Sequence, residues 1–234
     1  MNILFNNPLF GIMLSLFAFE AGCFIYKKTK VALFNPLLVA IAVVIVVLIG
    51  LGVNFETYNK GGQFINMFLG PCTVILAVPL YKQISLLKKH GLPILVGISI
   101  GSTVGIVSTI LLSNAFGLNE ILIRSLVPKS VTTPIGVEIS NQLQGIPAVT
   151  VAAIIISGIT GAIVAPSIFK ILKVKSKIAV GISIGTASHA VGTAKALEIG
   201  EVEGAMSGLS IGIAGLMTVF IAPVIYNVLT KILG

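Results

Sequence analysis

The sequence predicts an all-α integral membrane protein, with about seven transmembrane helices and one re-entrant segment and no separate soluble domain. Three observations carry this reading. Of 234 residues, 56% are hydrophobic and only 9% are charged, whereas a soluble globular domain carries roughly 25% charged residues. The mean hydropathy is +1.10. Uncharged or nearly uncharged runs of about 20 residues, the length that crosses a bilayer, recur along the chain. A soluble enzyme, a secreted domain and a disordered tail are excluded on these grounds.

The spans follow in order. Residues 8–26 are apolar apart from Glu20, and residues 31–53 carry no charge. Further spans are expected at 62–81, 92–112, 146–169 and 205–229. Between them lie two stretches that are hydrophobic but irregular, 113–145 and 177–204. The N-terminus, MNILFNNPLF, lacks a basic n-region and does not read as a cleavable signal peptide. Cys23 and Cys72 sit in apolar runs and read as small buried hydrophobes, not as a disulfide or metal pair. No metal or other cofactor is expected.

Lysines set the orientation. Lys27, Lys28 and Lys30, then Lys82, Lys88 and Lys89, then Lys170, Lys173, Lys175 and Lys177, then Lys231 account for 11 of the 15 basic residues. Placing all four groups in the cytoplasm puts the N-terminus outside and the C-terminus in the cytoplasm. Residues 177–204 must then cross from inside to outside. Residues 113–145 must start and finish outside, as a re-entrant excursion or a surface loop. The net charge of +8 is thereby assigned to lipid head groups, not to nucleic acid.

Internal repetition accompanies this layout. Val96-Gly97-Ile98-Ser99-Ile100-Gly101 recurs as Val180-Gly181-Ile182-Ser183-Ile184-Gly185. An acid followed by a glycine precedes three of the spans: Glu56 and Gly62, Glu138 and Gly145, Glu198 and Gly204. We read duplicated architecture, common in transporters, as a single transmembrane domain with N-terminal peripheral helices over 1–53, repeat units over 54–130 and 131–203, and a final span over 204–234. Both hexapeptide copies start from the cytoplasmic side, so the repeats are expected to be parallel. Glycines at four-residue spacing (Gly97, Gly101, Gly105; Gly181, Gly185; Gly204, Gly208, Gly212) leave helix faces bare, for static packing or for sliding. Such faces also allow a homo-oligomer.

The chemistry concentrates in the two irregular stretches. Leu126-Val127-Pro128-Lys129-Ser130-Val131-Thr132-Thr133-Pro134 predicts a break at Pro128 and a short helix from Thr133 or Pro134 to a point before Gly145. Its N-terminus gathers free N–H groups, the hydroxyls of Ser130, Thr132 and Thr133, and the cation of Lys129, which together make an anion site. An ordinary capped interfacial helix is the alternative. The second stretch is Gly185-Thr186-Ala187-Ser188-His189-Ala190-Val191-Gly192-Thr193-Ala194-Lys195-Ala196-Leu197-Glu198. It places a His, a Lys and a Glu where ionisable groups are costly. We expect a broken helix: an inner half through Gly185, a bend at 186–188, then an outer half. His189 and Thr193 share a face. His189 carries a coupling proton or serves as a structural hydrogen-bonder.

At these two stretches the sequence resembles the LrgB/CidB family of bacterial membrane proteins. The matching residues are 128–134, Glu138, Gly145 and above all 185–198. Gln144 stands where the resemblance leads us to expect a glycine. The resemblance implies a multi-pass protein of the bacterial cell membrane that is not an enzyme. It also implies a smaller LrgA/CidA-type membrane partner. One functional layer is holin- or antiholin-like control of murein hydrolase activity and cell lysis. Another is carriage of small monocarboxylates such as pyruvate, with a related plastid protein moving glycolate and glycerate.

Three function classes can be weighed on the residues. A carrier of a small organic anion fits two broken, hydroxyl-rich segments, each with a nearby lysine. A pore fits less well, because the polar residues cluster at two breaks instead of along one helix. A hydrolase fits worst: Ser188 adjoins His189 too closely to form a nucleophile–base pair, and the chain has no Asp to orient the His. Lys129, Ser130, Thr132, Thr133, Ser188, His189, Thr193 and Lys195 are therefore the candidate substrate contacts. Glu138, Gly145, Gly185, Gly192 and Glu198 are the structural or coupling candidates.

Overall fold

The computed structural model describes residues 5–29, 34–68, 71, 74, 81–82 and 84–233. Among these residues all regular structure is helical and there is no strand. The chain forms two compact units, Met1–Ile75 and Leu76–Gly234. Among the described residues four helices are long and apolar enough to cross a membrane: Pro8–Thr29, Lys88–Ala115, Pro147–Ile171 and Glu201–Ile232.

The first unit contains α1 (Pro8–Thr29), α2 (Pro36–Leu51) and α3 (Phe55–Asn66). Asn35 and Asn54 cap α2 and α3 by accepting hydrogen bonds from Leu37 N and Thr57 N, and Pro36 takes the first helical position where its missing N–H costs nothing. Gly52 ends α2 at φ 63°. Helices α1 and α3 cross where Gly11 meets Gly61, and a Cβ on Gly61 would stand 2.7 Å from Gly11 Cα. Half of the span expected over 62–81 lies outside the described residues, as do Lys30 and Cys72.

The second unit is built on α4 (Ile84–Ala115), α5 (Glu120–Leu126), α6 (Thr133–Gln142), α7 (Pro147–Ile171), α8 (Lys177–Ile199) and α9 (Glu201–Leu233). Helix α4 bends at His90, just before Pro93, where a proline cannot continue the hydrogen-bond ladder. Helices α5 and α6 form an antiparallel hairpin. Ser125 lies beside Ser140 and Gly145, while Pro128 O lies 3.4 Å from the Cβ position of Gly136. The buried hydroxyl of Thr150, on α7, ties this hairpin down by donating to Ser125 O at 2.8 Å and pairing with Ser140 Oγ at 2.7 Å. On the other side Ile123, Val127, Val131 and Ile139 pack on Ile106 and Ile110 of α4 and on Ala222 and Tyr226 of α9.

Helix α8 is a second hairpin, with its two limbs side by side. Its backbone leaves helical geometry at His189 (φ 42°, ψ −137°) and reverses. A Cβ on Gly192 would stand 3.2 Å from Ile184 O, although an unbroken helix puts residues eight apart about 12 Å from each other. Ser207 of α9 touches both limbs, packing on Gly185 of the first and bonding Thr193 Oγ1 of the second at 2.7 Å. The expected break is therefore present, but one residue later than expected, and the second limb returns alongside the first.

This reversal corrects the chain path. Ile94 and Ile98 near the start of α4 pack on Ala205 and Met206 near the start of α9, and Ile106 and Ile110 pack on Ala222 and Tyr226. Helices α4 and α9 are therefore parallel. Lys231 lies at the opposite end of the unit from Lys88 and Lys89, so the expected sharing of one membrane side by these lysines does not hold. The inference failed because it counted 177–204 as a crossing. Helices α4 and α7 run antiparallel, and each is followed by a hairpin at its C-terminal end. That arrangement is inverted, whereas the two VGISIG copies themselves lie parallel: a Cβ on Gly101, at the end of the first, would stand 3.2 Å from Thr186 Cγ2, just past the end of the second.

Candidate functional site

The two hairpin tips converge on the middle of α7. Gly136 of α6 packs on Ile154 of α7. The Ile154 carbonyl in turn accepts a 2.9 Å hydrogen bond from His189 Nε2. Two glycines receive the α8 tip: the Cβ position of Gly158 is 2.7 Å from His189 Nε2, and Gly161 abuts Ser188 Oγ. His189 itself occupies a backbone region that is unfavourable for any residue with a Cβ. Its ring bond, together with the bond from Thr193 Oγ1 to His189 O at 3.0 Å, holds it there.

Between α4, α7 and the first limb of α8 lies a cavity of about 1250 Å³. His90 and Ser176 line it at the end of the unit that carries Lys88, Lys89 and the lysines of 170–177. Lys129 and Ser130 from the first hairpin tip and Thr186, Ala187 and Ser188 from the second line it further along. Gly97, Gly101 and Gly105 of α4 line one wall. The four-residue glycine spacing thus has two outcomes: Gly181 and Gly185 are packed tightly on α9, while Gly97 and Gly105 have nothing within 4 Å and keep the cavity open.

The lining is mostly aliphatic, with several hydroxyls. Ser102, Ser157, Thr160 and Thr218 add to those of the tips. Lys129 is half-buried and its Nζ donates to Ser130 Oγ at 3.4 Å. Among the described residues Lys129 is the one lysine in the lining and no Glu lines the cavity. An ammonium among hydroxyl donors, in a wall without carboxylates, attracts a small anion and gives it hydrogen bonds.

The expected site residues divide accordingly. Lys129, Ser130 and Ser188 line the cavity. Thr132 sits at the N-cap of α6 without a side-chain capping bond, Thr133 is exposed, and neither reaches the lining. His189 and Thr193 are buried behind the tip and bonded to Ile154 O and Ser207 Oγ. Lys195 and Glu198 pair with each other at 2.7 Å on the returning limb of α8, away from the cavity. Glu138 is exposed on α6. Gly145 packs 2.9 Å (at its Cβ position) from Ser125 N, and Gly185 and Gly192 pack within the α8–α9 bundle. Gln144 has φ 61°, the left-handed position after a helix end that favours glycine, which is the physical reason a glycine is expected there.

Sequence reasoning missed Ser102, Ser157, Thr160 and Thr218, which stand in ordinary apolar helices and reach the cavity only by tertiary packing. Gly158 and Gly161 were legible as a three-residue glycine spacing, a signal hidden by attention to fours.

Comparison with known proteins gives a family match, to the LrgB-like family, over residues 15–228. The chain is 38% identical to the uncharacterized protein YxaC of Bacillus subtilis (strain 168) over 214 residues, covering 92% of this chain and 93% of that one. It is 39% identical to proteins named antiholin-like protein LrgB of Bacillus mycoides (strain KBAB4) and Bacillus cereus (strain B4264), covering 93% of this chain and 95% of each of those. No solved structure matches the chain. Long apolar helices together with relatives from these bacteria describe a multi-pass bacterial membrane protein.

Proposed function

The chain belongs to the LrgB-like family, and for it we propose carriage of small monocarboxylates of the pyruvate, lactate or glycolate kind through the α4–α7–α8 cavity. The observation that supports this is that Lys129 and hydroxyls of both hairpin tips line one cavity whose described lining residues include no carboxylate. The carboxylate is read as sitting near Lys129 and Ser130, with Ser188 donating from the other tip. His189 acts as a latch, since its ring is engaged with Ile154 O.

In this reading the end bearing Lys88, Lys89 and the lysines of 170–177 faces the cytoplasm. The cavity end lined by His90 and Ser176 then lies inward, and the two hairpins dip into the membrane from opposite faces, where broken backbone lines a cavity. By the same rule Lys27 and Lys28 at the end of α1 put the N-terminus outside. An LrgA/CidA-type small membrane protein is the proposed partner, and a homo-oligomer is compatible with the reading.

The second reading is a holin- or antiholin-like regulator of murein hydrolase activity and lysis. It is favoured by the name antiholin-like protein LrgB that two of the relatives carry. One experiment separates the two. The purified chain is reconstituted in liposomes, with and without the partner, and assayed for counterflow of labelled pyruvate, lactate and glycolate and for release of an entrapped dye. Saturable counterflow without dye release is the expected result. No counterflow of any of the three acids refutes the carrier, and dye release supports the second reading.

A further inference from the structure

Helix α1 packs through small residues and leaves a charge on another face. Its buried residues are Gly11, Ala18 and Gly22. Gly11 meets Gly61 of α3, and the Cβ position of Gly22 lies 3.0 Å from Pro36 Cα at the start of α2. Met13, Leu16, Phe17, Glu20 and Phe24 follow one another at helical spacing and are all exposed. Glu20 is nine residues from Thr29 and twelve from Pro8, about 14 Å and 18 Å along the helix axis, so it sits near the middle of the span. Among the described residues no hydrogen bond or ion pair reaches it. The ion pairs join Lys82 to Glu201, Arg124 to Glu120 and Lys195 to Glu198, and Lys28, two turns on, lies over the Phe24 ring. Helix α1 is also the least buried of the four long apolar helices. A carboxylate exposed to lipid at that depth is costly, and such groups face a cavity or a partner.

We infer that the face of α1 built from Met13, Phe17, Glu20 and Phe24 docks a transmembrane helix of a different membrane protein, one that presents a lysine or arginine at mid-span to Glu20. Charge complementarity sets the class of partner, because an ionised carboxylate only accepts hydrogen bonds. The exposed rings and aliphatic groups around it supply the packing that joins helices in lipid. A second copy of this chain is the wrong occupant. Two copies share one orientation in the membrane, and a two-fold axis through this face sets Glu20 against Glu20, a like-charge pair. The second unit has no cation to spare. Among its described residues Arg124 and Lys195 are paired with Glu120 and Glu198, and Lys129 lines the cavity. Such a face serves a carrier and a regulator alike.

The test puts the full chain, with a donor dye on an appended tag, into phosphatidylcholine vesicles with acceptor-labelled leucine–alanine transmembrane peptides of about 22 residues. One peptide has a lysine at its centre and the other a leucine. Energy transfer is expected to show the lysine peptide bound about tenfold or more tighter, the weight of one charge-assisted hydrogen bond. Glu20→Leu is expected to abolish that preference while melting at or above the wild-type temperature. Glu56→Gln, at an exposed position of α3, is expected to keep it. A wild-type chain that binds the two peptides equally overturns the docking face, as does a Glu20→Leu variant that keeps the preference. A Glu20→Leu variant that melts well below the wild type shows that Glu20 has its partner within the chain, and also overturns it. Energy transfer between donor- and acceptor-labelled copies of the chain, if Glu20→Leu abolishes it, assigns the face to a homodimer and overturns the choice of a different protein.

Discussion

The seat of the α8 tip can be tested by adding one methyl group. In Gly158→Ala the new Cβ would stand 2.7 Å from His189 Nε2, 2.8 Å from His189 Cε1 and 3.1 Å from Val191 Cβ. Ordinary carbon contacts lie at about 3.5–4.0 Å, so the ring must move by roughly 0.7 Å or more. That displacement breaks its 2.9 Å bond to Ile154 O. Overpacking costs about 1–3 kcal/mol, and an imidazole N–H left buried without a partner costs about 1–3 kcal/mol more. The helix propensity gained on replacing Gly by Ala returns roughly 0.5–1 kcal/mol. The net is a loss of about 1–5 kcal/mol, or on the order of 2–20 °C in melting temperature for a chain of this size. Gly97→Ala and Gly105→Ala are the controls. Nothing lies within 4 Å of either, so both are expected to melt at or slightly above the wild-type temperature. The chain has no Trp, so the melt is followed in detergent by size-exclusion of a fluorescently tagged chain after heating. A Gly158→Ala variant that melts with the wild type, or a Gly97→Ala variant that falls as far, refutes the seat.

Three further outcomes follow from the same geometry. Lys129→Gln is expected to lower carboxylate counterflow by about 10- to 100-fold, the weight of a charge-assisted hydrogen bond, whereas Lys195→Gln, which removes a charge paired with Glu198 outside the cavity lining, leaves transport unchanged. Thr150→Val keeps its volume but deprives Ser140 Oγ and Ser125 O of a fully buried partner, so melting is expected to fall by about 1–3 kcal/mol equivalent, with Thr150→Ser close to wild type. Gln144→Gly removes the Cβ penalty at φ 61° and is expected to raise stability by about 1 kcal/mol, read as a higher melting temperature; a drop would show that the 3.4 Å contact from Arg124 Nη1 to Gln144 Oε1 matters more than the backbone.

The membrane class, the long helices and the location of the polar breaks were legible because they rest on composition and run length. Pro128 and Pro134 marked the first hairpin, and the small-residue run around His189 marked the second break. The direction taken after that break was not legible. A bend and a reversal differ by one residue's dihedrals, and the sequence preceding His189 contains no glycine at the turning position to announce it. What forces the reversal is tertiary: Gly158 and Gly161 provide the seat, and Ser207 bonds across to Thr193. The candidate site was half legible for the same reason. Lys129, Ser130 and Ser188 lie at tips that the sequence marks, while Thr132, Thr133 and Lys195 are near those tips in the chain but do not line the cavity, and Ser102 comes from a helix that the sequence marks only by its repeat and its glycines.

The size of the cavity also bears on hydration. At about 30 Å³ per water, 1250 Å³ holds on the order of forty molecules, far more than a three-carbon acid displaces. On the carrier reading, an anion in this cavity would keep most of its hydration shell along the bare glycine wall and would shed it only near Lys129 and the tip hydroxyls. Selection between acids would then rest on that short stretch.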